Sequence, residues 1–124
     1  MRDIETREDI ILIMRKFYDK LLVDETISFF FIRVTKVDQH LEEHFEILAT
    51  FWEQALFLKG GYHNNMFQKH KDIHEKSAFT KEHFDTWLKH LYTTLDEYFK
   101  GEKVEQMKTQ ALNMATVLQI KFSQ

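Results

Sequence analysis

The chain has 124 residues, of which 44% are apolar and 30% are charged, so we expect one domain spanning residues 1–124 with a single core. Its 17 basic and 20 acidic residues are well mixed and give a net charge of -3, which argues against nucleic acid and membrane surfaces as partners. Because there is no cysteine, disulfides, thiol nucleophiles and thiolate-held metal clusters are excluded, and any metal ligand must be histidine or oxygen.

The amino-terminal residues lead into a predicted helix. Met1 to Glu5 lack the apolar core of a signal peptide, and no apolar run approaches the roughly 20 residues that span a bilayer, so we expect a soluble, cytoplasmic protein. Thr6 and Asp9 have the spacing of a helix-capping pair. Apolar residues then recur every three or four positions up to Asp24, namely Ile10, Ile13, Met14, Phe17 and Leu21.

The two segments that follow the first helix, residues 27–34 and 38–57, differ in the spacing and type of their apolar residues. Residues 27–34 are β-branched and aromatic, but no second candidate strand exists to pair with them, so they predict an apolar loop or a short helix. From Asp38 to Phe57 the apolar spacing predicts a second helix, with His44 inside its apolar face. Gly60 and Gly61 are the predicted left-handed stop of this helix.

The second half of the chain is also helical in pattern. Between Tyr62 and Phe79 the periodicity weakens and predicts one short helix in a looser connection. Thr80 begins a strongly amphipathic helix that ends before Gly101, and a last helix runs from about Glu102. We therefore predict an all-α fold with three long helices and one irregular stretch, where a cofactor could interrupt the packing of helix on helix.

The histidines are the first candidates for chemistry. His40 and His44, and again His70 and His74, stand four residues apart and would each share a helix face, as metal ligands can. The ordinary alternative is that one member of each pair is exposed and the other is a partly buried, hydrogen-bonded imidazole. A di-iron bundle would need matching Glu-x-x-His motifs, and only Glu43 to Glu46 around His44 comes near one.

Haem would account for several of these features together. Aromatic residues form 15% of the chain, more than so small a core usually needs, and they could wall a flat porphyrin whose iron is held by one imidazole. His70 is a candidate for that imidazole. The Tyr18 hydroxyl and the Trp87 indole N–H could donate hydrogen bonds to a gas on the opposite face. On periodicity alone, Tyr18 and Trp87 fit ordinary core positions better.

Several motifs in order resemble one family. Lys16-Phe17-Tyr18 ends the first helix, His44 precedes Phe51-Trp52, Tyr62 precedes His70 inside Tyr-His-Asn-Asn-Met-Phe-Gln-Lys-His, and residues 83–88 begin the next helix as His-Phe-Asp-Thr-Trp-Leu. Over most of its length the chain resembles the truncated haemoglobins of the third group, small globins with a two-on-two helical sandwich. The resemblance implies non-covalent haem b and a diatomic gas ligand such as oxygen, nitric oxide or carbon monoxide.

The resemblance also implies a role for individual residues. His70 corresponds to the proximal iron ligand, and the distal residues correspond to Tyr18, His44 and Trp87. Tyr18 and Trp87 would bind the gas, whereas His44 would gate the pocket; the alternative is that His44 itself coordinates the iron. The cofactor would further contact Phe31, Leu48, Trp52, Tyr62, Met66 and His70.

The chain departs from the family pattern at two places. Asn64-Asn65-Met66 stands where Asn-Pro-Met is common, so we expect a less stiff turn before the proximal histidine. Leu41 replaces a frequent tryptophan three residues before His44, which leaves the connection before the distal helix hard to map. Residues 29–31 are three consecutive phenylalanines. The sequence therefore identifies the ring that would stack on the haem only to within about one residue.

Several functions follow from such a site. Two strong distal donors would slow oxygen release, which suits a scavenger or redox catalyst better than a carrier. A nitric oxide dioxygenase would need an external reductase, because this chain has no flavin or nicotinamide motif, and a peroxidase-like role ranks second. The rival class is a non-haem helical module that binds a metal or a partner protein.

Overall fold

The computed structural model describes residues 1–62 and 65–123, and within them the chain is helical without strands. The five helices are α1 (Arg7–Leu21), α2 (Leu41–Phe57), α3 (Met66–Lys76), α4 (Lys81–Tyr98) and α5 (Glu102–Phe122). The all-α prediction is therefore confirmed. Four of these helices have at least fifteen residues, so the expectation of three long helices was wrong.

The first turn of α1 forms where its capping pair was predicted. The Thr6 hydroxyl accepts the Asp9 N–H, and the Asp9 carboxylate accepts the Thr6 N–H, both at 3.1 Å. The same carboxylate receives two hydrogen bonds from the Arg2 guanidinium, which together with its backbone donors lowers the pKa of Asp9 to about 2. The start of α1 is thus fixed to the segment that precedes it.

The long helices form two layers. α1 packs against α2 and also against α4, while α4 packs against α5, and this arrangement is the two-on-two sandwich. α3 is held differently, since it contacts α5 and the turn near residue 30. The core lies between the layers and is built from the apolar stripes of the four long helices, including Ile13, Phe17, Leu56, Leu91 and Met107.

The connection between α1 and α2 contains two short helical segments. Phe30–Val34 forms a wide π-type turn in which the Thr35 N–H donates to the Phe30 carbonyl at 3.0 Å, and Val37–Gln39 forms one 3-10 turn. The expectation of an apolar loop or short helix over residues 27–34 is confirmed. α2 begins three residues later than the predicted Asp38, because Asp38 lies in the 3-10 turn and the non-helical His40 separates that turn from α2.

The end of α2 differs from the predicted glycine stop. α2 ends at Phe57 as expected, but the left-handed residue that follows it is Leu58 (φ 60°), not Gly60. Leu58 is 89% exposed, so it adopts this conformation, which a Cβ disfavours, without losing a buried contact. Gly61 adopts a positive φ of 111° further along the connection.

No helix in the described ranges 1–62 and 65–123 has both the length and the apolar character to cross a lipid bilayer.

Candidate functional site

A cavity of about 430 Å³ opens between the two helical layers and α3. Its volume lies within the range of small-molecule and cofactor sites, about 300–1,000 Å³. Side chains from all five helices and from the π-type turn line it. All nine residues that the sequence nominated are in its wall: Tyr18, Phe31, His44, Leu48, Trp52, Tyr62, Met66, His70 and Trp87.

His70 enters the cavity wall from α3. The side chain of Asn65 caps this helix by accepting the Gln68 N–H at 2.9 Å, so a polar cap begins α3 where the family commonly has a proline nearby. His70 Nδ1 lies 2.8 Å from the Met66 carbonyl, which can only accept, so Nδ1 carries the proton. Burial lowers the pKa of His70, and the neutral ring keeps an unprotonated Nε2 that could bind a metal.

Tyr18 and His44 meet at another part of the wall. Tyr18 ends the apolar face of α1 and is 7% exposed, while His44 lies in the first turn of α2. The Tyr18 hydroxyl and His44 Nε2 are 2.7 Å apart and share one hydrogen bond. Desolvation, with help from the charges of His40 and Lys69, lowers the pKa of His44 to about 4, and burial raises the pKa of Tyr18 well above its ordinary value. Both groups are therefore neutral at pH 7.

Trp87 brings a further donor from α4. It lies one turn after His83, and its ring packs edge-on against Phe17, 5.9 Å away between centroids. Periodicity alone favoured a core position, but Trp87 is only partly buried and borders the cavity. In the described ranges its indole N–H has no hydrogen-bond partner, so this donor is available to a ligand that comes within reach.

Aromatic rings form much of the remaining wall. Phe30 and Phe31 both border the cavity, whereas Phe29 does not, so two of the three consecutive phenylalanines remain candidates for the stacking ring. Phe31 lies edge-on to Tyr18 with 5.3 Å between ring centroids. On the α2 side, Phe51 packs edge-on against Trp52 and Tyr62 at 5.2 and 5.1 Å. These contacts give the cavity flat, apolar sides.

Sequence reasoning missed several residues of the wall. Lys69, which is next to His70 in the sequence, and His83, which lies one turn before Trp87, both border the cavity. Phe79 was treated as the end of a loose connection, yet its ring contacts that of Phe30 at 4.6 Å. Met114 and Leu118 of α5 also border the cavity. Their helical spacing could not show this, because an apolar stripe does not reveal whether it faces another helix or a cavity.

In each of the two predicted histidine pairs, the two members lie in different surroundings in the structure. His40 precedes α2 and is exposed, so it does not share a helix face with His44. His74 lies on α3 with His70, but its ring stacks on Phe122 at 4.4 Å and does not border the cavity. Across the described residues, no group of three or more His, Asp or Glu side chains could hold a metal ion. His63 and Asn64 of the quoted motif lie outside the described residues.

The residues present fit a haem. A cavity with apolar walls offers a single unprotonated imidazole nitrogen on α3, and it offers hydroxyl and indole donors on α1 and α4. One neutral imidazole is the ligand that globins use for haem iron. The donor set does not fit a metal site with three or more protein ligands, because His70 belongs to no such group of His, Asp or Glu side chains among the residues described.

Comparison with known proteins agrees with this geometry. The sequence matches the family described as "Bacterial-like globin" over residues 3–121. Among solved structures, the chain is similar to the group III truncated hemoglobin from Campylobacter jejuni, with 25% identity, a TM-score of 0.86, and coverage of 98% of this chain and 95% of that one. No curated protein matches significantly. The resemblance to the group III truncated haemoglobins is confirmed, and this chain belongs to the bacterial-like globin family.

Proposed function

We propose that the chain, as one globin domain over residues 1–124, binds haem b through His70. We further propose that it holds oxygen or another diatomic gas tightly beside Tyr18 and Trp87, for oxygen and nitric oxide redox chemistry or scavenging. The observation that carries the proposal is the half-buried His70 imidazole, whose Nδ1 is fixed on the Met66 carbonyl at 2.8 Å. The globin family and the truncated-haemoglobin fold support a haem-binding globin in general.

The surroundings of His70 suit a neutral ligand. The carbonyl of Met66 holds the ring in one tautomer and one orientation, as the outer partners of metal-bound histidines do. Burial lowers the pKa of His70, so the ring does not compete for a proton at pH 7. When bound there, haem would supply reversible gas binding and one-electron chemistry at its iron.

The two residues proposed for the distal side, Tyr18 and Trp87, suit a ligand that carries partial negative charge. Tyr18 and Trp87 belong to different helices, α1 and α4, and both border the same apolar space. Hydrogen bonds donated in such a low-dielectric cavity are stronger than in water. Two donors of this kind favour slow release of oxygen, and slow release suits a scavenger or a redox catalyst better than a carrier.

His44 supports gating better than direct coordination of the iron. Its Nε2 is already engaged by the Tyr18 hydroxyl at 2.7 Å, and coordination would require that bond to break. Because the ring is only partly buried, rotation toward solvent would expose the cavity. We therefore propose that His44 controls access and also orients the Tyr18 hydroxyl.

Turnover of nitric oxide would require electrons from elsewhere. We expect a separate reductase in the cytoplasm, since the sequence holds no flavin or nicotinamide motif. Sustained nitric oxide consumption without any added reductant would contradict this expectation. A peroxidase-like activity is the second candidate, and the neutral His44 favours it because it could accept a proton from hydrogen peroxide.

Visible absorption spectra test the proposal directly. The purified protein should show an intense Soret band that shifts on reduction and shifts again with carbon monoxide. His70→Ala should lose the haem or bind it much more weakly, whereas His40→Ala, at an exposed position outside the cavity, should keep it. Protein that shows only aromatic absorbance after addition of hemin would contradict the proposal and favour the non-haem helical module.

A further inference from the structure

Two neighbouring backbone N–H groups in the α3–α4 connection donate to histidine rings. The Phe79 N–H donates to His74 Nδ1 at 2.9 Å, and the Thr80 N–H donates to His83 Nδ1 at 3.0 Å. His74 lies near the end of α3, and His83 lies in the first turn of α4. The connection between these helices is therefore held from both sides by imidazole acceptors.

This pattern requires both rings to be neutral. An imidazole nitrogen accepts a hydrogen bond only when it carries no proton, and the imidazolium form has two N–H donors and no acceptor. Protonation of His83 would set its Nδ1–H against the Thr80 N–H, and protonation of His74 would do the same to the Phe79 N–H. Each protonation therefore removes the hydrogen bond donated by the backbone N–H, even though the Thr80 hydroxyl, 3.2 Å from His83 Nδ1, could accept the added proton of that ring.

The surroundings of His83 favour its neutral form. Its ring lies edge-on to Phe30 with 4.8 Å between centroids, and desolvation lowers the pKa of His83 while the charge of Glu82 partly opposes this. The groups three and four positions away on its helix are uncharged. The Lys81–Asp85 ion pair (2.6 Å) lies on the same turn, and its two charges compensate each other.

His74 lies among rings from α5 and from the connection itself. Its ring is nearly parallel to that of Phe122, 4.4 Å away, and it also stacks on Phe79 at 5.9 Å. The charged residues nearest to it in sequence or packing are Lys71 and Glu75 on α3, and Lys121 of α5, whose ammonium lies over Phe67 at 5.3 Å. The requirement for a neutral ring comes from the hydrogen bond itself, because His74 Nδ1 accepts the Phe79 N–H.

We propose that the α3–α4 connection is an acid-sensitive latch, closed by neutral His74 and His83 and released when either ring is protonated. Loss of these two hydrogen bonds would also affect the packing of α3. The ring of Phe79, whose N–H is one of the two latch donors, contacts Phe30, Phe84 and Phe122. In the described part of the fold, α3 otherwise packs mainly against α5 and the π-type turn. Opening the latch therefore loosens α3.

Nitrogen NMR of the purified protein, labelled with 15N, tests the latch without reference to the cofactor. At pH 7.5 the ring shifts of both histidines should report an unprotonated Nδ1 and a protonated Nε2. As the pH falls to 5, the Phe79 and Thr80 amides should lose about tenfold or more of their protection from hydrogen exchange, after correction for the intrinsic rate. A protonated Nδ1 on either ring at pH 7.5 would overturn the proposal, even if no variant folds.

Paired variants separate titration from simple loss of the side chain. His83→Gln keeps an acceptor that capping boxes commonly use at this position, and His74→Asn places an amide oxygen at the distance of Nδ1. Neither acceptor titrates, so the double variant should keep amide protection at pH 5, while His40→Gln should behave like the unaltered protein. Equal loss of protection in the double variant and the unaltered protein would contradict the latch.

Discussion

The Tyr18 hydroxyl and His44 Nε2 lie 2.7 Å apart in the cavity wall, and only one proton can occupy the line between them. If the hydroxyl donates to Nε2, its proton is unavailable to a ligand. If Nε2–H donates to the hydroxyl oxygen, the Tyr18 O–H is free to point into the cavity. The tautomer of His44 therefore decides whether Tyr18 acts as a donor to a bound gas, because both groups are neutral at pH 7.

Removing either distal donor should accelerate oxygen dissociation. Tyr18→Phe and Trp87→Leu each delete one hydrogen bond in a desolvated site, worth about 1–3 kcal/mol, or about 5- to 150-fold in rate. Stopped-flow displacement of oxygen by carbon monoxide measures this rate. Tyr92→Phe is the matched control, since its hydroxyl donates to the Lys108 carbonyl and lies outside the cavity wall. Unchanged rates in both distal variants would show that the distal assignment is wrong.

Acid should destabilise the protein partly through His44. The pKa of this ring falls from 6.5 to about 4 on folding, so between these values the unfolded chain binds a proton that the folded chain does not. Stability that is present above pH 6.5 is therefore lost as the pH falls toward 4. His44→Gln, which does not titrate, should remove about 1–2 kcal/mol of this loss, after discounting for the partial exposure of the ring.

Urea unfolding followed by tryptophan fluorescence at pH 7 and 4.5 measures the difference. The preparations should have equal haem content, because a bound cofactor raises apparent stability. His40→Gln serves as the control at an exposed position and should retain the full acid dependence. If His44→Gln and the control lose the same stability between the two pH values, then His44 is not the buried neutral group described above.

Arg7 links α1, which carries Tyr18, to α2, which carries His44, through hydrogen bonds and ion pairs. Its guanidinium donates to the Glu46 carboxylate at 2.6 Å, to the Thr50 hydroxyl at 3.1 Å and to the largely buried Glu53 carboxylate. Arg7→Met should therefore cost about 1–2 kcal/mol, because Glu53 keeps only the longer contact with Lys59 at 3.5 Å.

A second arginine, Arg15, shows whether the stability lost in Arg7→Met comes from the burial of the ion pair or only from the removal of a positive charge. Arg15 pairs with Glu42 at the surface, so Arg15→Met should change thermal stability little. In Arg7→Met, the further change Glu53→Gln should recover part of the loss by removing the isolated buried charge. Thermal unfolding gives both comparisons, and equal effects of the two arginine variants would contradict the buried ion pair.

The long helices could be predicted because each has a regular apolar stripe and a recognisable start. Thr6 and Thr80 both cap helices where the sequence placed them. The end of α2 was less predictable, because Leu58 adopts a left-handed conformation that its side chain disfavours and two glycines stand nearby. The π-type turn at Phe30–Val34 depends on tertiary contacts of its phenylalanines, and local propensity does not encode these contacts.

The members of the cavity wall could be nominated from the sequence, but their interactions could not. Motif order identified Tyr18, His44, His70 and Trp87, and all four border the cavity. The hydrogen bond between Tyr18 and His44 depends on how α1 crosses α2, which spacing along one helix does not determine. The acceptor roles of His74 and His83 also required the path of the α3–α4 connection.

Gly101 should be among the least replaceable positions in the α4–α5 turn. Its φ of 151° lies in the region that favours glycine, and a Cβ there would overlap the Asp3 side chain. Asp3 cannot move away freely, because its carboxylate accepts the Lys103 and Val104 N–H groups at 2.8 and 3.1 Å and so caps α5. Gly101→Ala should therefore lower the free energy of unfolding by about 2 kcal/mol or more, a loss that thermal or urea unfolding can measure. Gly60→Ala, where a Cβ meets nothing within 4 Å, should change it by less than about 0.5 kcal/mol. Equal stability of the two variants would mean that the amino-terminal segment does not hold the start of α5 in place.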